Sequence, residues 1–288
     1  MASIPLVVGT IVPVFLLIFL GWVIGLRRKD DIKSIIDFIV YFTAPALIFN
    51  SLASSDIDLS AFSSVALAAI AIIAVQGSIA YFMFRNNKGM TLPATIGNTG
   101  YLGYPLALFA FGSEGLSMAI AYDVIGSLFL FSLGVYIVHH KNNLTEMFRM
   151  PYIYAIFLGL LVNITGIIIP EPMLKAAEML GSITIPAALI VLGIVLSRLR
   201  IDSYALPSLA SFFKIFAGFF LAFVITNMLG LTGTEKSVIL LQASMPSAVM
   251  SMVLTQKYKK DADLAASTVL ISTVLGMVII PILILFLS

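Results

Sequence analysis

Residues Gly97 to Leu106 read G-N-T-G-Y-L-G-Y-P-L, and this stretch lies in the middle of a strongly apolar segment, about 92–111. The segment is long enough to cross a bilayer. Its centre, however, combines glycines and a proline, which disfavour a continuous helix, with an asparagine and a threonine. Non-helical backbone at membrane depth is tolerated only where protein buries it or where it lines a water-filled cavity. The stretch therefore predicts a spanning helix that is broken at a binding site, with a simple proline kink as the alternative.

The composition of the chain is typical of helical membrane proteins. Of 288 residues, 60% are hydrophobic and 10% are charged, against roughly 25% charged residues in soluble domains. The sequence has no cysteine, which excludes disulfides, thiol catalysis and iron–sulfur clusters. The net charge of +2 gives no indication of a nucleic-acid partner. We expect an all-α integral membrane protein that is embedded in a lipid bilayer.

Ten apolar segments follow one another along the chain, each near the roughly 20 residues that a hydrocarbon core requires. They are approximately 4–26, 33–53, 60–84, 92–112, 115–138, 151–169, 173–197, 206–229, 235–256 and 263–287. The first segment lacks the basic region of a cleaved signal peptide and stays apolar to Leu26, so we interpret it as the first span. The sequence therefore predicts ten transmembrane helices.

Basic residues are concentrated in alternate connections between these segments. The connections after spans one, three, five, seven and nine hold Arg27, Arg28, Lys29, Lys33, Arg85, Lys88, Lys141, Arg149, Arg198, Arg200, Lys257, Lys259 and Lys260. The other side has Lys175 and Lys236 near it, together with Asp56, Asp58, Glu114, Glu171, Glu178 and Glu235. The positive-inside rule then predicts a multi-pass protein of the cell membrane with both termini outside the cytoplasm.

Prolines and glycines recur at one fixed spacing, which indicates an internal repeat. The pairs that share this spacing are Pro105 and Pro246, Pro45 and Pro186, Gly25 and Gly166, Gly77 and Gly218, and Gly89 and Gly230. The context T-A-P-A-L-I from Thr43 also matches T-I-P-A-A-L-I from Thr184. Because each half has an odd number of spans, five, the second half would enter from the opposite face. We predict two inverted five-helix repeats, 1–145 and 146–288, an arrangement typical of secondary transporters.

A second polar interruption, L-Q-A-S-M-P-S-A-V-M from Leu241 to Met250, lies in the middle of span nine. Proline suits the first turn of a helix, so we expect Pro105 and Pro246 each to begin a new half-helix after a break. Both half-helices would then have their N-termini at the bilayer midplane. Helix N-termini carry partial positive charge and free N–H groups, which favours a small anion such as a carboxylate.

The first interrupted stretch resembles the N-T-x-x-x-G-x-P crossover of the auxin efflux carrier family, which includes plant PIN carriers and bacterial malonate and malate permeases. F-T-A-P-A-L-I-F in span two, Y-D-V-I-G-S in span five and A-S-M-P-S in span nine extend the resemblance over the whole chain. The family is similar in fold to bile acid sodium symporters. The resemblance implies a scaffold of spans 1, 2, 6 and 7 and a transport domain of spans 3–5 and 8–10 that moves like an elevator. It also implies a homodimer joined through the scaffold, and the short loop 139–150 is typical of a prokaryotic member.

Candidate substrate-binding residues lie in the two breaks. Asn98 matches the asparagine of the family's crossover, and its amide could donate to a carboxylate or only cap the first half-helix. The tyrosines and the methionine of the breaks could equally serve packing. The full set is Asn98, Thr99, Gly100, Tyr101, Tyr104, Pro105, Gln242, Ser244, Met245, Pro246 and Ser247.

Two charged residues lie inside apolar segments, where an ionised group is costly. We interpret Asp123 in span five as a proton carrier, with a carboxylate held permanently by the crossover as the alternative. Lys214 in span eight could pair with an acid, supply positive charge to a bound anion, or extend to the cytoplasmic face. Gln76 in span three could face the substrate cavity, and Asp37 is close enough to the cytoplasmic end of span two to reach water.

Proton coupling is favoured over sodium coupling by the content of span nine. Sodium-coupled relatives have an acidic residue beside this crossover, whereas this region offers Gln242, and hard cations need charged oxygen ligands. We expect no cofactor and no metal site, with H⁺ or Na⁺ as a coupling ion. An uncoupled uniporter and an anion channel are the alternatives.

A membrane enzyme is disfavoured because the residues for catalysis are missing from the sequence. His139 and His140 are the only two histidines, and adjacent residues cannot share one helical face as metal ligands. Clustered acids and a nucleophile with its base are also absent. The sequence therefore predicts a secondary active transporter of small organic anions, such as malonate, malate or auxin-like indole acids, that works by alternating access.

Overall fold

The computed structural model describes residues 4–28, 31–54, 59–139 and 151–287, and apart from one isolated β-bridge the regular elements in these ranges are helices. Six helical runs there are long and apolar enough to cross a membrane: Lys33–Ser54, Ser60–Met83, Thr99–His139, Glu171–Arg198, Ala205–Met228 and Ala262–Leu287. Two shorter apolar helices are Ile11–Arg27 and Pro151–Thr165. Some charged and histidine residues named above lie outside the described ranges: Lys29, Asp56, Asp58, His140, Lys141 and Arg149. The chain is a multi-pass helical membrane protein.

Eleven helices are numbered here in chain order within the described ranges. They are α1 (Ile4–Arg27), α2 (Lys33–Ser54), α3 (Leu59–Met83), α4 (Thr91–Thr95), α5 (Thr99–His139), α6 (Pro151–Thr165), α7 (Glu171–Arg198), α8 (Ala205–Met228), α9 (Gly233–Ala243), α10 (Val249–Lys257) and α11 (Ala262–Leu287). The long run α5 bends at Gly112, whose φ of 70° is a backbone conformation that favours glycine. This bend divides α5 into two helices at the point where the sequence predicts the end of span four.

Helix α1 packs closely against the second half of α7, Thr184–Arg198. A Cβ atom on Gly21 would overlap the carbonyl of Ile190, and one on Gly193 would overlap the carbonyl of Ile18. Small residues of this kind allow membrane helices to approach backbone to backbone. Helix α2 packs against α6 and the first half of α7, so that α1, α2, α6 and α7 lie side by side.

The remaining helices form a second packed group around the two breaks. Helix α5 packs against α3 and α9, α8 packs against α3, α9 and α11, and α10 packs against α11. This group buries Gln76, Lys214 and Gln242, each at most 1% exposed. Because polar groups inside a membrane protein must find partners within the protein, their position marks the part of the fold where a site is expected.

The outer surface is covered by large apolar side chains. Phe82, Met228 and Phe286 are 73%, 81% and 75% exposed. A soluble monomer rarely exposes a continuous apolar surface, whereas lipid tails provide an apolar environment for these side chains. The distribution therefore fits a protein that is surrounded by lipid.

Four five-residue π-helical segments interrupt the α-helices of the described ranges. They are Ile39–Thr43 in α2, Thr99–Gly103 and Leu130–Gly134 in α5, and Phe213–Ala217 in α8. The wider turn of a π-helix occurs frequently at functional sites. Here the first three segments contribute residues to one cavity, and the fourth carries Lys214.

Candidate functional site: a crossover of two broken helices

Both predicted breaks are present at the predicted stretches. Helix α4 ends at Thr95, the chain is extended at Ile96, with φ −90° and ψ 120°, and helical structure resumes at Thr99. Helix α9 ends at Ala243, and α10 begins at Val249 after an extended Ala248, with φ −68° and ψ 136°. The simple-kink alternative is therefore wrong, because each break contains several non-helical residues.

The two unwound segments pair with each other. The backbone N–H of Asn98 donates to the carbonyl oxygen of Pro246 at 2.7 Å, and that of Ala248 donates to the carbonyl oxygen of Ile96 at 2.9 Å. These two bonds frame an antiparallel bridge between Gly97 and Ser247. Since backbone polar groups must be satisfied within a membrane protein, this pairing explains how non-helical backbone persists inside the helix group.

Side chains from neighbouring helices take up carbonyl groups that the breaks leave free. The hydroxyl of Ser247 donates to the Pro93 carbonyl at 2.6 Å, and the Gln76 amide donates to the Ala94 carbonyl at 3.2 Å. The ammonium group of Lys214 donates to the Ala243 carbonyl at 2.8 Å. The carbonyl ends of α4 and α9 are thus capped by side chains from α3, from α8 and from the unwound segment that precedes α10.

The expectation that both prolines begin a half-helix is correct for Pro105 and wrong for Pro246. Pro105 lies in the first turn of the α-helical part that begins at Tyr104. Pro246 instead lies in the extended segment, three residues before Val249, and its carbonyl accepts the bond from Asn98. Proline has no N–H to leave unpaired, which suits it to this bridge position.

A cavity of about 160 Å³ lies where the crossover meets α2, α6 and α7. Residues from both helix groups therefore face the same space. Its lining includes Ile39, Val40, Ala44, Ile48, 96–101, Tyr104, Asp123, Ser127, Leu130, Phe131, Tyr152, Thr184, Ile185, Ala188 and 248–250. The first residues of α5 and of α10 are among them, so that two helix N-termini, with their free N–H groups, meet at this cavity.

Asp123 lies beside the first break and is held there by two hydroxyl groups. The Thr99 hydroxyl donates to Oδ1 of Asp123, and the Tyr104 hydroxyl donates to Oδ2 at 2.8 Å. Gly100 is a neighbour of this carboxylate: a Cβ added to it would meet Oδ2 at 3.6 Å, an ordinary van der Waals contact. A titratable group is thus anchored at the start of α5, on the wall of the cavity.

Three buried polar atoms on the cavity wall form no hydrogen bond within the described part of the chain. They are Nδ2 of Asn98, the hydroxyl of Tyr152 and Oγ1 of Thr184. The Tyr152 hydroxyl lies near Ser127 without a bond of normal geometry. Each of these groups is able to donate a hydrogen bond, and buried polar groups normally have partners. Unpaired donors from the first break, α6 and α7 therefore surround one small space.

Six of the predicted site residues line the cavity, and seven do not. Those on the cavity wall are Asn98, Thr99, Gly100, Tyr101, Tyr104 and Asp123. Those away from it are Pro105, Gln242, Ser244, Met245, Pro246, Ser247 and Lys214. From the second break the cavity is lined by Ala248, Val249 and Met250 instead, because the preceding residues face the interior of the helix group.

Several of the predicted residues that do not line the cavity form structural contacts inside the helix group. Ser244 donates back to the Leu240 carbonyl at 2.7 Å, and Met245, fully buried, packs against Gly97. Lys214 is 1% exposed and bonded to Ala243, so its extension to the cytoplasmic face, one of our alternatives, is wrong. Gln76 faces the helix group and bonds to the carbonyls of Ala94 and Lys214 rather than lining the cavity.

Three further polar residues line the cavity without having been predicted from the sequence: Ser127, Tyr152 and Thr184. Thr184 begins the stretch that matches the one from Thr43, so the internal repeat offered a signal for it. Ser127 ends the Y-D-V-I-G-S motif, one helical turn beyond Asp123. Tyr152 follows the predicted loop 139–150, and no pattern in the sequence separates it from other tyrosines at helix ends.

Comparison with known proteins assigns the chain to a family of transporters. The sequence profile described as membrane transport protein matches residues 6–147 and 137–284. The chain belongs to the membrane transport protein family. An uncharacterized transporter of Methanocaldococcus jannaschii is 29% identical over 290 residues, which cover 93% of this chain and 94% of that protein. An uncharacterized transporter of Methanothermobacter thermautotrophicus is 31% identical over 294 residues, which cover 94% and 95%.

The family membership confirms the resemblance to auxin efflux carriers on which the sequence analysis relied. It also confirms that the function is transport and not catalysis. The family and the relatives are transporters, so the membrane transport protein is not an enzyme.

Proposed function

We propose that this membrane transport protein is a secondary carrier of small organic anions that works by alternating access. The observation that carries the proposal is the set of unpaired donors on the wall of one cavity, from Asn98, Tyr152 and Thr184. A buried donor without a partner is costly, and an incoming carboxylate would satisfy it. A carboxylate accepts hydrogen bonds only, which is the chemistry that these groups complement.

The two helix N-termini at the cavity support an anion over a cation. Thr99 and Val249 begin α5 and α10, and both lie at or next to the cavity wall. The partial positive charge and free N–H groups of a helix N-terminus stabilise bound anions. Two such ends act on the same space, so that the electrostatic preference does not depend on a basic side chain.

The size of the cavity supports a short-chain acid. Its volume of about 160 Å³ is close to the roughly 150 Å³ that accommodates benzene in another protein. A malonate- or malate-sized dicarboxylate fits such a space, whereas an indole acid, which adds a fused ring system to the carboxylate, would need more of it. We therefore propose malonate- or malate-like acids as the substrate class.

Asp123 supports coupling to protons. An ionised Asp123 would repel a substrate carboxylate in the same cavity, because the wall is largely apolar and screens charges poorly. A proton shared between the two carboxyl groups removes this repulsion. We propose that a proton therefore enters with the anion, and that Asp123 loses it when the anion leaves. No cofactor takes part in this scheme.

The proposed architecture follows the predicted repeat. We propose ten spans, with α4 and the first part of α5 forming span four and with α9 and α10 forming span nine. The halves 1–145 and 146–288 are inverted repeats in this scheme. The side-by-side packing of α1, α2, α6 and α7 supports a scaffold, against which the other group, which carries the crossover, would move like an elevator. We further propose a homodimer through the scaffold helices, in the cell membrane, with both termini outside.

Equilibrium binding to the purified protein tests the substrate class. Malonate, malate, indole-3-acetate and the uncharged malonamide are added in turn, and the melting temperature and calorimetric heat are measured. The proposal predicts saturable binding of malonate or malate and none of malonamide, since an amide donates where the wall also donates. Equal binding of malonamide, or the absence of binding by both dicarboxylates, would contradict it.

A further inference from the structure

Lys214 is a buried basic residue whose contacts the proposed transport cycle does not use. It lies in the π-helical segment of α8 and is 1% exposed. Within the described ranges it forms no ion pair with an acidic side chain, and its hydrogen bond goes to the carbonyl oxygen of Ala243 at 2.8 Å. A buried charge without an acidic partner is costly in free energy. The ammonium group therefore needs a partner of another kind, one that carries partial negative charge.

That partner is the end of a half-helix. Ala243 is the last residue of α9, an eleven-residue helix that stops inside the helix group. The last carbonyl groups of a helix lack partners within the helix and carry partial negative charge. The break at Ser244 leaves this negative end in the interior, away from water, where only a cation or a donor can compensate it.

A second, small enclosed space adjoins this contact. It has a volume of about 10 Å³, near the size of one water molecule, and Thr95, Gly97, Lys214 and Gln242 are among the residues that line it. Gln242 is fully buried, and neither its Oε1 nor its Nε2 has a hydrogen-bond partner in the described part of the chain. An amide oxygen without a donor points to a missing cationic or hydrogen-bonding ligand.

We propose that the ammonium group of Lys214 is a built-in cation for the crossover, which compensates the carbonyl end of α9, and that removal of this side chain opens a monovalent-cation site at the Ala243 carbonyl. The Ala243 carbonyl oxygen, which now accepts from Lys214, is a neutral oxygen ligand of such a site. Gln242, whose amide has no partner within the described ranges, lines the adjoining space. The lysine therefore replaces an inorganic ion, and the crossover folds without Na⁺ or K⁺. The inference does not depend on which substrate the carrier takes.

The experiment vacates the site and offers small cations to it. Lys214→Ser removes the ammonium and leaves room, whereas Lys214→Met removes the charge but fills the same length. Lys236→Ser is the matched control, because Lys236 lies near the N-terminus of α9, is exposed and bonds to Asn227. The melting temperature of each protein is measured without substrate in choline, sodium, potassium and methylammonium chloride at one ionic strength.

The proposal predicts that the wild type and Lys236→Ser melt at the same temperature in all four salts. Lys214→Ser should melt several degrees lower in choline, with a saturable rise in methylammonium or sodium. Lys214→Met should be destabilised without a response to any cation. A wild type that is stabilised by sodium or potassium over choline, a Lys214→Ser protein that responds to no cation, or a Lys214→Met protein as stable as the wild type would overturn the proposal. If Lys214→Ser is recovered from membranes only in methylammonium, the proposal is supported; if it is recovered in no salt, it is overturned.

Because these readings are taken without substrate, a failure of this inference leaves the proposed carboxylate transport standing. A failure of carboxylate binding equally leaves the cation site to be judged on its own.

Discussion

The backbone N–H of Asn98 donates a hydrogen bond to the carbonyl oxygen of Pro246 at 2.7 Å, which joins the two broken helices at their centres. Because a backbone bond of this kind cannot stretch far, the start of α5 and the start of α10 must keep their relative position. The two helix N-termini that line the cavity therefore behave as parts of one unit. This coupling is the structural basis of the predictions that concern the crossover.

Ser272→Ala should destabilise the crossover. The Ser272 hydroxyl accepts the backbone N–H of Ser247, a fully buried residue, at 3.0 Å. Removal of the acceptor leaves a buried N–H without a partner, at a cost of about 1–3 kcal/mol. We expect a lower melting temperature for this variant. Ser78→Ala is the control, since the Ser78 hydroxyl lies on an exposed face and bonds to its own helix; equal melting of the two variants would contradict the prediction.

Gly103→Ala should be poorly tolerated, and a second substitution should rescue it. A Cβ on Gly103 would overlap Oε1 of Gln242, which has little room to move in the packed interior. Overpacking of this kind costs about 1–3 kcal/mol. We expect a lower melting temperature, and its recovery in the double variant with Gln242→Ala. In the same helix Gly126→Ala is the control, because its Cβ would meet only Ile73 at 3.8 Å.

Asn98→Ala should weaken carboxylate binding without destabilising the protein without substrate. The Nδ2 group of Asn98 has no partner in the protein, so its loss removes no internal bond. A hydrogen bond to a charged ligand contributes about 1.5–3 kcal/mol, which corresponds to a roughly tenfold or larger rise in the Kd. Calorimetric titration with malonate or malate measures it. Asn227→Ala, at an exposed position, serves as the control; wild-type affinity in Asn98→Ala would remove this residue from the site.

Thr184→Val should separate a binding role from a structural one. Valine keeps the shape of threonine and removes a hydroxyl that is buried without a partner. We therefore expect unchanged or higher thermal stability together with several-fold weaker carboxylate binding, and near wild-type binding in Thr184→Ser. Thr43 occupies the matching position in the first half, bonds to Ile39 at 3.5 Å and does not line the cavity. Loss of affinity in Thr43→Val equal to that in Thr184→Val would count against a direct contact.

The fold class and both breaks were predictable because membrane proteins obey strict local rules. Apolar length marks each span, and Gly97 to Leu106 and Leu241 to Met250 violate helix propensity so strongly that breaks follow from the sequence. The register of the second break was not predictable. Repeat matching aligned Pro246 with Pro105, whereas Pro105 lies in the first turn of a helix and Pro246 in the extended segment before α10. The bridge between Gly97 and Ser247 is a tertiary contact, which the sequence pattern does not show.

The cavity itself was predictable only from the side of the first break. Asn98, Thr99 and Asp123 carry polar groups in an apolar context, which is a local signal. Thr184 reaches the cavity through the packing of α7 against the start of α5, and Tyr152 through the packing of α6 against α2, and such contacts are properties of the tertiary structure. Ala248 and Val249 are also invisible to sequence reasoning, since they contribute backbone and apolar surface.

Uptake of radiolabelled malonate and malate into proteoliposomes, with and without an imposed proton gradient, tests the central claim most directly. For the wild type we predict saturable uptake that the gradient accelerates. Asp123→Asn should keep exchange of labelled for unlabelled substrate in the absence of a gradient and lose the acceleration, while Asp37→Asn, whose side chain does not line the cavity, should keep both. Saturable uptake by the wild type that ignores the gradient, or acceleration that survives in Asp123→Asn, would contradict proton-coupled carboxylate transport through this site.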